Sequence, residues 1–183
     1  QASYEADLDI ADNYFRKKEK ILYKISDFIG CMSPANLNYV HENNPEIENK
    51  KLEVNPNSIE VKRNSFVLET DLYTKYNIPR NKVIFIFGGN LGIPQGIEFL
   101  KANIAYCKSI KEAFFLIVGD GTEYNNFSHC IQTEGIINAL LIKELPKLEY
   151  DEIIKLSHVG LIFLSPRFTI PNFPSRILSY MQN

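Results

Sequence analysis

From residue 83 onward the chain alternates short, unbroken apolar runs with longer amphipathic stretches. The runs Val83–Phe87, Phe114–Val118, Ala139–Ile142 and Val159–Leu164 read as strands. Pro94–Tyr106, Thr122–Gln132, Lys147–Ser157 and Pro174–Met181 read as helices, with Leu148, Ile153, Ile154 and Leu156 on the inner face of the third. Strands that are apolar throughout, without alternation, are buried on both faces, which predicts a parallel sheet with helices on each side. Right-handed crossovers then bring every strand's carboxyl end to one edge, where open α/β sheets bind their ligands. The expected fold class is therefore α/β, a Rossmann-like parallel sheet with helices on both faces.

The first third is less regular. Ser3–Lys20 reads as a helix and Ile25–Met32 as a buried strand. Ser33 can cap a helix that Pro34 opens and that ends near Asn43, followed by a short strand over Lys51–Val54. The expected division is 1–60 as the tail of one domain, 61–81 as a connector of mixed polarity, and 82–183 as a second domain. The last predicted helix runs only about two turns to Asn183, so the chain's end reads as a cut within a longer sheet.

Composition narrows the function classes. Of 183 residues, 45% are hydrophobic and 23% charged, ordinary for a globular protein. A net charge of -2 and a pI near 6.0 give no basic footprint for nucleic acid. The densest basic run, Arg16-Lys17-Lys18-Glu19-Lys20, suits a solvated helix end. Cys31, Cys107 and Cys130 are too scattered for a disulfide framework or a zinc knuckle, which points to a reducing cytoplasm. No run of 18 apolar residues is present and the start is acidic, unlike a signal peptide. Peripheral association with the inner face of a membrane stays open.

Three segments carry candidate chemistry. Gly88-Gly89-Asn90-Leu91-Gly92-Ile93-Pro94-Gln95-Gly96 joins a strand to a helix through a glycine-rich turn, which lets backbone N–H groups approach a phosphate. It lacks the lysine of a P-loop and the spacing of a dinucleotide fingerprint. Gly119-Asp120-Gly121 is a second such turn, in which Asp120 can cap the next helix. Ser165 to Arg176 contains three prolines and then opens a helix with Ser175 and Arg176 in its first turn, where a cation is unfavourable unless an anion binds. His41, His129 and His158 have no metal spacing, and Glu149, Asp151 and Glu152 suit a helix start. No metal and no cofactor is expected.

These segments in this order resemble the donor-binding domain of retaining glycosyltransferases of family four, with the glycosyltransferase-B fold. The likeness rests on Val54–Glu60, Phe87–Gly96, Leu116–Gly121, Leu156–Pro166 and Asn172–Met181, and Gln95 with Phe173-Pro174-Ser175-Arg176 resembles bacterial capsule and O-antigen enzymes. The resemblance implies transfer of a sugar from a nucleoside diphosphate, with retained configuration, to a glycan or lipid-linked acceptor bound by the first domain. It implies diphosphate binding by Gly89, Asn90, Gln95, Gly96, Asn172, Phe173, Pro174, Ser175 and Arg176, and nucleoside binding by Asp120, Leu145 and Ser179.

Two departures bear on chemistry. The family's basic pair in the first glycine turn is replaced by Asn90 and Gln95, and its two glutamates fall on Pro171 and Ser179. No catalytic residue is therefore assigned. Arg176, with N–H groups of the turn from Gly89 to Gly96, is the expected source of phosphate-binding charge. The readings left open are the donor half of an active transferase, a nucleotide-sugar-binding module without activity, and a Rossmann-type oxidoreductase domain.

Overall fold

The computed structural model describes residues 2–61, 70–167 and 169–183, and the chain forms two compact units. The first comprises residues 1–57 with 170–173, the second 58–169 with 174–183.

In the first unit, α1 (Ala2–Ile25) runs five residues beyond the helix expected to end at Lys20. Its last carbonyls are closed by Ser26, whose N–H and hydroxyl both donate to Leu22 O at 3.0 and 2.7 Å. The following strand is shortened accordingly, to β1 (Ile29–Cys31). The Ser33 hydroxyl accepts from Asn36 N at 3.2 Å and caps α2 (Pro34–Asn43), as the Ser-Pro pair predicts. β2 (Leu52–Val54) pairs with β1 in parallel, Ile29 opposite Leu52. Segment 170–173 belongs here, with Asn36 Nδ2 donating to Pro171 O at 2.6 Å.

The second unit opens with α3 (Leu72–Lys75), capped by Asp71. The connector expected over 61–81 lies partly outside the described residues, and its second half is not a free linker. Leu72 and Ile78 are buried in the core, and Lys75 and Tyr76 both donate to the Glu149 carboxylate, holding its pKa below the usual value. The sheet contains β3 (Val83–Gly88), β4 (Ala113–Val118), β5 (Ala139–Ile142) and β6 (Val159–Gly160). Their spatial order is β5-β4-β3-β6 and every pairing is parallel, as the apolar runs predict. Between them run α4 (Ile97–Tyr106), α5 (Tyr124–Thr133) and α6 (Lys147–Leu156), and α7 (Arg176–Gln182) follows β6.

The two-residue period of the strands sorts the core into two layers. Phe87, Phe115 and Ile117 pack with Ile97, Leu100, Ile104 and Phe127 of α4 and α5. Ile84, Ile86, Phe114, Leu116 and Val118 pack with Leu72 of α3 and with Ile153 and Ile154 of α6. Leu148, expected on the inner face of α6, is 50% exposed.

The glycine turns after β3 and β4 interlock. Gly89 N donates to Val118 O and Leu91 N to Asp120 O, both at 2.9 Å. A Cβ on Gly119 would stand 1.9 Å from Gly89 O, at a φ of +153. Gly119→Ala is therefore expected to destabilise the second unit by at least about 2 kcal/mol, read by urea denaturation. A variant as stable as the parent would show that the two turns do not meet this closely.

Candidate functional site

From β3 the chain moves outward to β4 and β5, then crosses back to place β6 on the other flank of β3. The gap between β3 and β6 is thus the topological switch point of the sheet, and the crevice outside its carboxyl ends is where such folds take ligands.

The two strands part early there. Pairing of β3 with β6 ends at Ile86 opposite Gly160, and Leu161 N donates the last ladder bond to Ile86 O at 2.7 Å. The strand expected over Val159–Leu164 is therefore only two residues long. Beyond it the Tyr180 hydroxyl stands between the strands. It accepts from Gly88 N at 3.1 Å and has Leu161 O at 3.3 Å and Ile86 O at 3.4 Å as alternative acceptors for its one proton. The ring lies on Gly160, where any Cβ would fall 2.4 Å from a ring carbon. A lone glycine in a strand marks such close approach.

Arg176 lies one helical turn before Tyr180, on the same face of α7. Its guanidinium carbon sits 4.3 Å from the centre of the Phe87 ring. Its Nη2 donates to Gln95 Oε1 and lies over Gly89, 3.5 Å from where a Cβ would be. Its Nη1 is buried without any hydrogen-bond partner. Burial lowers the Arg176 pKa, opposed by Tyr180 and Tyr150; arginine nevertheless stays charged. The result is a cation held at the switch point on an aromatic face, with one donor edge unused.

Of the residues expected at the site, Gly89, Gln95 and Arg176 are brought together. Asn90 stands between the two turns, its Oδ1 2.5 Å from where a Gly121 Cβ would be. Gly96 has a left-handed φ of +64 and caps α4. The helix expected from Pro94 is split into a 3-10 turn over Ile93–Gln95 and α4 from Ile97. This corrects the expectation that N–H groups throughout the turn cradle phosphate. Those of Gly89, Leu91, Gln95 and Gly96 are already bonded within the protein.

Further corrections concern the flanks. α7 begins with Arg176 rather than at Pro174, so Ser175 stands just before the helix instead of in its first turn. Asp120 does not cap α5: its carboxylate accepts from Gly121 N at 2.8 Å and pairs with Lys143 at 3.3 Å. Leu145 packs against the α6-side core layer, and Ser179 lies on α7 beside Tyr180. Asn172 and Phe173 fall in the first unit with segment 170–173. Tyr180 and Tyr150 carry no motif. The signals that point to Tyr180 are the lone Gly160 in a strand and the Arg176–Tyr180 spacing of four; none points to Tyr150.

A groove of about 730 Å³ opens beside this crevice, lined by Ile93, Phe99, Leu164 and Pro166 with Glu98 and Glu123 on its wall. Its walls are mostly apolar, and Arg167 lies in the lining with the two carboxylates, so charge alone selects neither a neutral nor an anionic occupant. Among the described residues no cluster of His, Cys, Asp and Glu could hold a metal, and no helix is long and apolar enough to cross a membrane.

No model of a known protein family and no curated protein matches the sequence. Among solved structures the fold is similar to a mutant of S. aureus TarM in complex with Fondaparinux, alpha-GlcNAc-glycerol and UDP, with a TM-score of 0.58 at 12% identity. The match covers 79% of this chain and 27% of that one. The chain has an α/β, Rossmann-like fold of the glycosyltransferase-B kind.

Tyr180→Phe keeps the ring on Gly160 and removes only the ladder bridge. It should cost about 1–3 kcal/mol and speed amide exchange at Gly88, measured by denaturation and hydrogen exchange. Unchanged protection at Gly88 would contradict the bridge.

Proposed function

We propose that this chain is the donor-binding part of a hexosyltransferase-type glycosyltransferase. It takes a nucleoside-diphosphate sugar and serves transfer to a glycan or lipid-linked acceptor in bacterial surface polysaccharide synthesis. The complete enzyme would work in the cytoplasm, at the inner face of the membrane. One observation carries the reading: at the switch point, a partly buried arginine whose Nη1 is buried and unpartnered lies over Gly89 without a carboxylate partner among the described residues. An anionic ligand oxygen completes that arrangement. The likeness to a fold captured with UDP supports a nucleoside diphosphate as its source.

The task of the site is to hold the donor and to offset the negative charge that builds on the departing diphosphate. A cation already partly desolvated and held on Phe87 is suited to this, because little reorganisation is needed as the charge develops. The side chains of Ser179 and Pro171 offer no carboxylate to the transferred sugar, so a binding module without transferase activity is the second reading.

Titration calorimetry of the folded chain with UDP, GDP and NAD tests the proposal. UDP or GDP should bind in preference to NAD. Arg176→Ala should weaken that binding by about 10- to 100-fold, as expected when one charge-assisted hydrogen bond is lost. Preference for NAD would move the chain to the oxidoreductase reading, and an Arg176→Ala variant with parental affinity would remove Arg176 from the site.

A further inference from the structure

A second unused donor faces the same glycine pair. Tyr150 projects from α6 so that its hydroxyl abuts Gly88, only 1.9 Å from where a Cβ would be placed. Among the described residues that hydroxyl makes no hydrogen bond. The N–H of Gly88 is taken by Tyr180, so it is not competing for Tyr150. Burial, reinforced by Tyr180, pushes the Tyr150 pKa up to about 12, so at neutral pH the phenol keeps its proton. Across the strand end lies Arg176, whose Nη1 is buried and unpartnered. Tyr150 and Arg176 also act on each other electrostatically, each altering the other's proton affinity.

Two helices thus present two donors without acceptors at Gly88–Gly89, the carboxyl end of the central strand. Nearly all buried polar groups in folded proteins are hydrogen-bonded, so the idle Arg176 Nη1 calls for an acceptor, and the Tyr150 hydroxyl at the neighbouring glycine is free to share it. That acceptor must be rich in lone pairs, and beside a guanidinium it is anionic. We propose that Tyr150 and Arg176 jointly grip one phosphate group of the donor diphosphate. Tyr150 supplies a directional hydrogen bond and Arg176 the charge. The pair takes over the task that basic side chains at Asn90 and Gln95 would perform. This rests on the donor-binding reading and adds a specific residue to it.

The test uses the 183-residue chain with UDP, inorganic pyrophosphate and uridine as probes, by calorimetry. Tyr150→Phe keeps the ring and removes only the hydroxyl. It should weaken UDP and pyrophosphate about ten-fold and leave uridine unchanged. In an Arg176→Ala background, Tyr150→Phe should cost less than about two-fold, because residues acting on one group are not additive. Equal losses for UDP and uridine would overturn the proposal, since the hydroxyl would then act through general packing. Parental UDP affinity in Tyr150→Phe, with Arg176→Ala still weakened, would also overturn it while leaving the donor-binding reading intact. A folded parent chain that binds neither UDP nor GDP nor pyrophosphate would remove both.

Discussion

Two parallel strands separate after Gly160, and a phenolic hydroxyl from a helix near the chain's end occupies the space between them. Much of the candidate site depends on that contact. A parallel ladder left open at its carboxyl end would expose Gly88 N–H and Leu161 C=O, and the Tyr180 hydroxyl, both donor and acceptor, meets both. Because the hydroxyl is wider than a direct peptide hydrogen bond, the strands stay apart and the crevice stays open. The same contact fixes the rotation of α7, which sets Arg176 over Phe87 and Gly89. Absence of a side chain at residue 160 is a condition of this arrangement, since the ring rests on the backbone there.

The sheet makes this possible by being rigid on both faces. β3 and β4 alternate their side chains between two separate core layers, so neither strand can slip by one residue without exchanging every buried contact. The turns that follow them are locked by Gly119 against Gly89 O. This interlock consumes the N–H groups of Gly89 and Leu91 that might otherwise have faced a phosphate. A tight crossing of two turns and a backbone anion cradle compete for the same donors. Here the crossing prevails, and the proposed anion binding is left to side chains.

That competition explains what was legible in the sequence. Strand positions β3 to β5 followed from unbroken apolar runs, because burial on both faces leaves that pattern. The Ser33 cap was legible because its determinant is local. β6 was overestimated at six residues since Leu161 to Leu164 are as apolar as a strand, and only the tertiary position of Tyr180 ends the ladder. Residues 71–78 looked like a linker because a four-residue helix has too few positions to show a period, yet Leu72 and Ile78 are core. In the site, Arg176 was legible as a cation in a proline-framed helix start. Its partner Gln95 lies 81 residues earlier, and the idle Tyr150 hydroxyl comes from another helix; no short-range pattern encodes either.

Under the proposed donor binding, positive charge on α7 rather than in a glycine turn changes what the site can do. A lysine or arginine on an exposed turn is solvated before the ligand arrives, and part of its attraction is lost in stripping that water. Arg176 is already partly desolvated on folding, and the packing on Phe87 and the bond to Gln95 offset that cost. An anion meeting it therefore gains more of the Coulomb term in a low-dielectric setting. It also meets a charge that cannot drift, because Tyr180 anchors the same helix one turn later. The proposed diphosphate binding would thereby be linked to the integrity of the β3–β6 junction through one seven-residue helix. A change that loosens the ladder bridge should be felt at the anion, even though Tyr180 itself need never touch it.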